Sequence, residues 1–381
     1  MKKILIISPI NFFPPYWGAA ARNYHLTKIL TKNNKIWLIC NDDTQLKRKN
    51  FECDELNELT ANSNIQIHFI KCMGRGSQLF NYFVFKKALK IIQKEKIDVI
   101  IAYSLFSGIQ SALLGFLKKL PYILDQHNVE FLKYERMKWG NKVTRFFIKK
   151  LEKFCCNFAT KIICVSEVDR NFFITKLGIN ERKVVIVPNG IDIEKFHPDR
   201  KKINDIKEEF HLEEQPIILY FGTFDYLPNY EAVKIIRNEL LPKILKKIPE
   251  AKFLIVGNNP PLEFKHENII FTGVVEKIED FINASNVVIC PLISGSGTRF
   301  KILEALACGK NVVSTSIGAE GLVLDGFNEI KICDDWDEFS NATVSLLSEK
   351  SFPIRQDLIN KYSWEKNSPT IENILKHLDK S

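Results

Sequence analysis

Short runs of β-branched and apolar residues alternate along the chain with longer stretches of helical periodicity. The runs Lys3–Ile7, Lys35–Cys40, Asp98–Ala102, Tyr122–Asp125, Lys161–Val165 and Lys183–Val187 occupy the first half. A second set follows: Ile217–Phe221, Lys252–Val256, Asn268–Phe271, Asn286–Cys290, Asn311–Ser314 and Glu329–Cys333. Each is bounded by Gly, Pro, Asn or Asp, and most intervals are long enough for a helix, which is the signature of parallel βαβ units. The pattern predicts an α/β chain of two doubly wound Rossmann-like domains facing a central cleft, because ligands collect at the carboxyl ends of such sheets. Turn chemistry at Pro188-Asn-Gly-Ile-Asp192 and the charged stretch Pro198–Glu214 separate the two sets. The expected domains are residues 1–195 and 196–361, leaving a terminal segment 362–381.

One segment of the second set carries candidate chemistry. The run Asn286–Cys290 leads through Pro291-Leu-Ile-Ser-Gly-Ser-Gly297 into an apolar-periodic helix that ends near Gly309. Gly295 and Gly297 allow backbone to approach a ligand, and the amides and positive dipole end of a helix starting near Thr298 attract phosphate. Gly297, Lys301, Glu304 and Cys308 fall at i, i+4, i+7 and i+11, one helical stripe, while Ile302, Leu303 and Leu306 point to the core. A cation and a carboxylate then share the ligand face, suited to gripping a nucleoside diphosphate by its phosphates and its sugar. The competing reading is an ordinary βα turn with a solvated Lys301–Glu304 pair. A dinucleotide fingerprint fits poorly, since Phe300 stands where its third glycine belongs. In the first set, Gly18 opens the helix Ala19–Thr31 after the loop Phe12-Phe-Pro-Pro-Tyr-Trp17 and is a second point of ligand approach, or only a helix start.

Composition narrows the class. A chain of 381 residues with 45% hydrophobic and 26% charged residues and no low-complexity tract should fold throughout as two domains. Pro9, Pro14 and Pro15 interrupt the apolar start, so Ile4–Ile7 reads as a first strand and not a signal peptide. Val99–Leu117 divides into strand, turn and helix, so no transmembrane helix is expected. Nine cysteines without a C-x-x-C pair indicate neither a disulfide framework nor structural zinc, which fits the cytoplasm. The net charge of +9 concentrates in part between Lys133 and Lys153, where Trp139, Phe146 and Phe147 lie among basic residues. That mixture fits peripheral contact with an anionic membrane, or a plain solvated face. Nucleic acid is disfavoured, because no helix-turn-helix, zinc-finger or RNP-like pattern is present.

Taken in order, Gly18 with Arg22, Asp125-Gln-His-Asn-Val-Glu130, Val165-Ser-Glu167 with Asp169-Arg170, and Val187–Asp192 form a recognisable series. Tyr220-Phe-Gly222, Leu254–Gly257, Phe271-Thr-Gly273, the Gly295–Gly309 run and Gly318–Gly321 continue it. The series resembles a family 4, group 1 glycosyltransferase with the GT-B fold over nearly the whole chain. The resemblance implies transfer of a sugar, with retention, from a UDP- or GDP-sugar held mainly by the second domain. The acceptor, a saccharide or a lipid-linked one, is held mainly by the first, as in cell-surface polysaccharide or glycolipid assembly. It also implies that Glu304, as the second glutamate of the E-x7-E motif, holds ribose hydroxyls, that Gly273 and Val274 lie near the nucleobase, and that His127 serves the transferred sugar. Tyr362-Ser-Trp364 resembles the start of a helix returning to the first domain.

Two departures matter. The motif's first glutamate falls on Ser296, and the basic pair usual after the first strand of the second domain is missing, since Gly222 leads into Thr223-Phe-Asp-Tyr-Leu-Pro-Asn229. Arg299 and Lys301 are the expected replacements, Lys301 the better one because it lies on the Glu304 stripe, whereas Arg299 could pair elsewhere; with His127 they form the expected catalytic set. Gly18, Gly222, Gly273, Val274, Ser296, Gly297, Thr298 and Glu304 form the expected donor-binding set. Asp125 and Glu130 flank His127 and could orient it or cap a helix. No cofactor is expected and no metal is expected to be required, although Asp42-Asp43 and Asp334-Asp335 resemble metal-binding acid pairs. A nucleotide-sugar epimerase and a non-catalytic sugar-nucleotide-binding partner are the alternatives.

Overall fold

The computed structural model describes residues 1–42, 53–71, 79–349 and 352–378. The chain divides into two units, Met1–Asn189 with Trp364–Ser381, and Gly190–Ser363. In the first unit β1 (Lys3–Ser8), β2 (Lys35–Asp42), β3 (Ile65–Lys71), β4 (Val99–Tyr103), β5 (Tyr122–Asp125), β6 (Lys161–Cys164) and β7 (Val184–Ile186) form one sheet. Its order is β3-β2-β1-β4-β5-β6-β7, and all its pairings are parallel. The second unit contains β8 (Ile217–Phe221), β9 (Lys252–Val256), β10 (Ile269–Gly273), β11 (Val287–Cys290), β12 (Asn311–Ser314) and β13 (Ile330–Ile332). Their order is β10-β9-β8-β11-β12-β13, again wholly parallel.

Parallel strands covered by helices on both faces read as unbroken apolar runs, and Ile4, Leu5, Ile6 and Ile7 are fully buried. The strand β3 breaks that rule and escapes the apolar-run criterion: it lies at the sheet edge, and its Gln66 and Phe69 are exposed. In each sheet the order reverses once, between β1 and β4 and between β8 and β11, which are the places where a doubly wound sheet opens a crevice. The Gly18 loop leaves β1, Gly222 leaves β8, and the Gly295–Gly297 loop leaves β11. The stretch Val99–Leu117 resolves into β4 and the helix Leu105–Lys118, as expected. The helix Trp364–His377 packs on the helix Gly18–Thr31, where the His25 ring stacks on Trp364 at 4.9 Å. Among the described residues no helix is long and apolar enough to cross a membrane, and the eight cysteines there are free thiols.

Candidate functional site

The loop after β11 is shaped by its two glycines and by Arg299. Gly295 and Gly297 have φ of 98° and 78°, values that side chains with a Cβ rarely adopt. Arg299 Nη1 donates to the carbonyls of Ser296 and Gly297, the latter at 2.7 Å, and Nη2 to that of Ser294 at 3.4 Å. These bonds hold Arg299 extended (φ −97°, ψ 109°), so the helix spans Phe300–Ala307 and does not begin near Thr298. The expected four-residue stripe is corrected accordingly: only Lys301 and Glu304 lie on the helix, Gly297 precedes it and Cys308 follows it. Arg299 thus braces the loop from within, whereas Lys301 faces the neighbouring strand β8. Ser296 and Thr298 lie buried in the same loop.

Lys301 Nζ lies 4.1 Å from the centroid of the Tyr220 ring and donates to Asn229 Oδ1 at 3.2 Å. The same oxygen accepts from the Tyr220 hydroxyl at 2.8 Å. Gly222 makes this arrangement possible, because a Cβ there would stand 2.7 Å from the Asn229 amide nitrogen. Burial draws the Lys301 ammonium down to about 8, with the Arg299 charge adding to the effect. Burial likewise pushes Glu304 up to about 7, against the pull of Lys195 and Lys301. No side-chain hydrogen bond reaches Glu304 among the described residues. Lys195 stands 3.9 Å from Glu279, whose carboxyl burial also raises. Asn229, Lys195 and Glu279 were not anticipated, since none belongs to a spaced motif.

Gly273 ends β10 and is tied to the same rim through Gly257, whose amide donates to its carbonyl at 2.9 Å. Its φ of 73° faces open space, and Val274 beside it is 71% exposed. The pair therefore lies at the sheet edge, two strands from β8. Asp334 accepts from Ser316 and Asp335 caps the helix Trp336–Leu347, so both serve local structure. The other acid pair, Asp42-Asp43, falls outside the described side chains.

The first unit holds its charges differently. Arg22 is fully buried on the first helix; its Nη2 lies 2.7 Å from Asp125 Oδ1, and Nη1 donates to the Val187 carbonyl and Asn189 Oδ1, each at 3.0 Å. It therefore clamps the start of the fold to the segment leading out of the unit. Burial alone would raise Asp125, but Arg22 and His127 overcome it and hold the carboxyl down at about 2. Asp125 Oδ2 lies 3.4 Å from His127 Nε2, close enough for an ion pair when the ring is protonated. Glu130 is the first residue of the helix Glu130–Arg136, and its carboxylate meets Lys133 at 3.3 Å. The capping acid comes from far along the chain: Glu152, fully buried, accepts from the amides of Glu130 and Phe131 at 2.8 and 2.9 Å. Gly18 begins its helix without a side-chain cap from Trp17. Ser104, at the switch point after β4, has a positive φ of 65° and a buried hydroxyl, strain of the kind that gathers at ligand sites.

Two family models match the chain consecutively: "Glycosyltransferase Family 4" over residues 18–195 and "Glycosyl transferases group 1" over residues 215–349. The chain is 27% identical over 366 residues to the UDP-Gal:alpha-D-GlcNAc-diphosphoundecaprenol alpha-1,3-galactosyltransferase of Escherichia coli, covering 87% of each chain. It is 26% identical over 304 residues to the N,N'-diacetylbacillosaminyl-diphospho-undecaprenol alpha-1,3-N-acetylgalactosaminyltransferase of Campylobacter jejuni, covering 76% of this chain and 75% of that one. The fold is shared with Anabaena Alr3699/HepE, solved in complex with UDP and glucose, at a TM-score of 0.74, 17% identity, and coverage of 99% and 100%.

Proposed function

Because the chain belongs to the family 4, group 1 glycosyltransferases and has their GT-B architecture, we propose that it transfers a sugar from a nucleoside diphosphate donor to a lipid-linked saccharide, with retention of anomeric configuration. The observation that carries this reading is the Gly295–Gly297 loop at the mouth of β11 with Lys301 and Glu304 on the helix behind it. Lys301 is assigned to the diphosphate. The leaving diphosphate gains charge as the glycosidic bond breaks, so an ammonium already withdrawn from water stabilises the transition state more than the ground state. Glu304 is assigned to the ribose hydroxyls, for which its carboxylate has unused acceptor capacity. In the first unit His127, oriented by Asp125, is assigned to the reacting sugar. Arg299 shapes the loop and acts through it.

Uridine is favoured over guanosine as the base, since the named donor of the Escherichia coli relative and the nucleotide bound in the Anabaena structure are both uridine compounds. The undecaprenol-linked acceptors named for two relatives point to surface-glycan assembly at a membrane face. The basic helix region of the first unit suits peripheral contact there. Both family models describe glycosyltransferases, which leaves the epimerase and the non-catalytic alternatives without support.

The test offers UDP- and GDP-sugars with a polyprenyl-diphosphate-linked monosaccharide and resolves the products by mass and anomeric configuration. A disaccharide product with the donor's anomeric configuration supports the reading. Conversion of the donor without any second sugar attached, or an inverted linkage, overturns it.

A further inference from the structure

The helix Lys142–Phe158 has apolar residues on two opposite faces. Ile148, Glu152, Cys155 and Cys156 are buried against the sheet. Val143, Phe147, Phe154 and Phe158 are nevertheless 60%, 64%, 41% and 47% exposed. Their spacings of four, seven and four place them on one stripe about 60° wide on a helix of 3.6 residues per turn, turned away from the buried face. The stripe continues onto the helix Leu105–Lys118, further back in the chain. There Phe116 and Leu117 are exposed, and the Phe116 ring meets that of Phe158 at 6.3 Å, edge to face. The Phe158 ring in turn lies 4.7 Å from that of Phe154. A run of exposed rings across two helices is not what a solvated basic surface requires.

The charges beside the stripe identify what covers it. Lys142, Arg145, Lys149, Lys150 and Lys153 lie on the same helix, and its one acid, Glu152, is fully buried. A second copy of the chain seated symmetrically on this stripe would bring two sets of cations together, which is unfavourable. An anionic bilayer supplies both missing parts, headgroups for the ammonium groups and an acyl boundary for the rings. We propose that the face formed by Val143, Phe147, Phe154, Phe158, Phe116 and Leu117 inserts shallowly into an anionic membrane surface, with the lysines of the helix Lys142–Phe158 held at the headgroups. This deepens the reading of a lipid-linked acceptor by naming the face of the first unit that meets the lipid.

The test is flotation of the full chain with vesicles of phosphatidylcholine alone or mixed with phosphatidylglycerol, without donor or acceptor. The wild type should float with the mixed vesicles and not with phosphatidylcholine alone. The variant Phe147→Ser/Phe154→Ser/Phe158→Ser should bind the mixed vesicles roughly tenfold or more weakly, with unchanged thermal unfolding, because rings that insert contribute to affinity directly. Lys142→Gln/Lys150→Gln/Lys153→Gln should abolish the preference for phosphatidylglycerol. The proposal is overturned if the wild type ignores anionic vesicles, if a well-folded serine variant binds them undiminished, or if light scattering shows a dimer that the serines dissolve. Transfer to a short, water-soluble acceptor should survive in the serine variant; loss of transfer by the wild type in that assay would count against the catalytic reading and leave the docking face untouched.

Discussion

Arg22 and Lys301 are both cations withdrawn from water, one in each unit, and their surroundings treat them in opposite ways. Arg22 has Asp125, two backbone carbonyls and the Asn189 side chain around it, and the partner carboxyl is held down at about 2. Lys301 has an aromatic face and one amide oxygen, and burial draws it down to about 8 while Glu304, one turn away, rises to about 7. A buried charge with its partners in place costs little further, so the Arg22 cluster is complete as it stands. Lys301 and Glu304 are instead pulled toward neutrality from both sides by burial, with no full set of partners around either charge. The first cluster is therefore a clamp within its own unit, and the second is the one proposed to receive the donor.

The largest expected effect breaks the clamp. Arg22→Ala leaves Asp125 buried without its counter-ion and should cost roughly 3–5 kcal/mol in denaturant unfolding. A loss below about 1 kcal/mol would mean that the pair is not structural, and the contrast with Lys301 would fail. Asp125→Asn keeps the shape, and should lower kcat with a smaller change in KM if the carboxylate orients His127. Next in size, Glu304→Ala should weaken binding of a UDP-sugar roughly tenfold to a hundredfold by removing paired hydrogen bonds to ribose. Calorimetry showing unchanged affinity for UDP and GDP would remove Glu304 from the donor site. Lys301→Ala should lower turnover roughly a hundredfold while KM changes less. Equal losses in binding and turnover would make it a uniform binder only.

Much of this contrast was legible before any coordinates, though unevenly. The buried strands announced themselves because two-sided burial demands continuous apolar runs, whereas the edge strand β3 did not. The glycine loop, Lys301 and Glu304 were found because spacing on a helix is local information. The helix start was misjudged by two residues, since Arg299 turns back onto three carbonyls of its own loop, and nothing in its spacing shows that. Partners that fold together from afar were invisible: Asn229 under Lys301 is 72 residues distant, and Glu152 caps a helix 22 residues upstream. For His127 the sequence offers two flanking acids, and the fold brings an oxygen of Asp125 within 3.4 Å of the ring.

A pH profile sharpens the comparison further, because the two units should respond in different ranges. Donor binding favours ionised Glu304, so the affinity for a UDP-sugar should decline as pH falls below about 7. Binding equally favours protonated Lys301, so affinity should decline again as pH rises above about 8. Glu304→Gln should flatten the acid limb, and Lys301→Arg should move the alkaline limb upward, because guanidinium stays charged. A profile flat from about pH 6 to about pH 9 would show that neither titrates against the donor. Asp125, held down at about 2, should add no limb in that range.

The smallest effect separates two glycines of the donor unit. Gly273→Ala meets nothing within 4 Å, so only its φ of 73° resists, at a cost of about 1 kcal/mol. Gly222→Ala would instead press on Asn229 at 2.7 Å and shift the oxygen that holds Lys301. The two variants should therefore part in kinetics more than in stability: Gly222→Ala should follow Lys301→Ala toward lower turnover, and Gly273→Ala should leave turnover near the wild-type value. If both lower turnover equally, the rim from Gly222 through Gly257 to Gly273 moves as one piece, and Asn229 is not the particular support of Lys301.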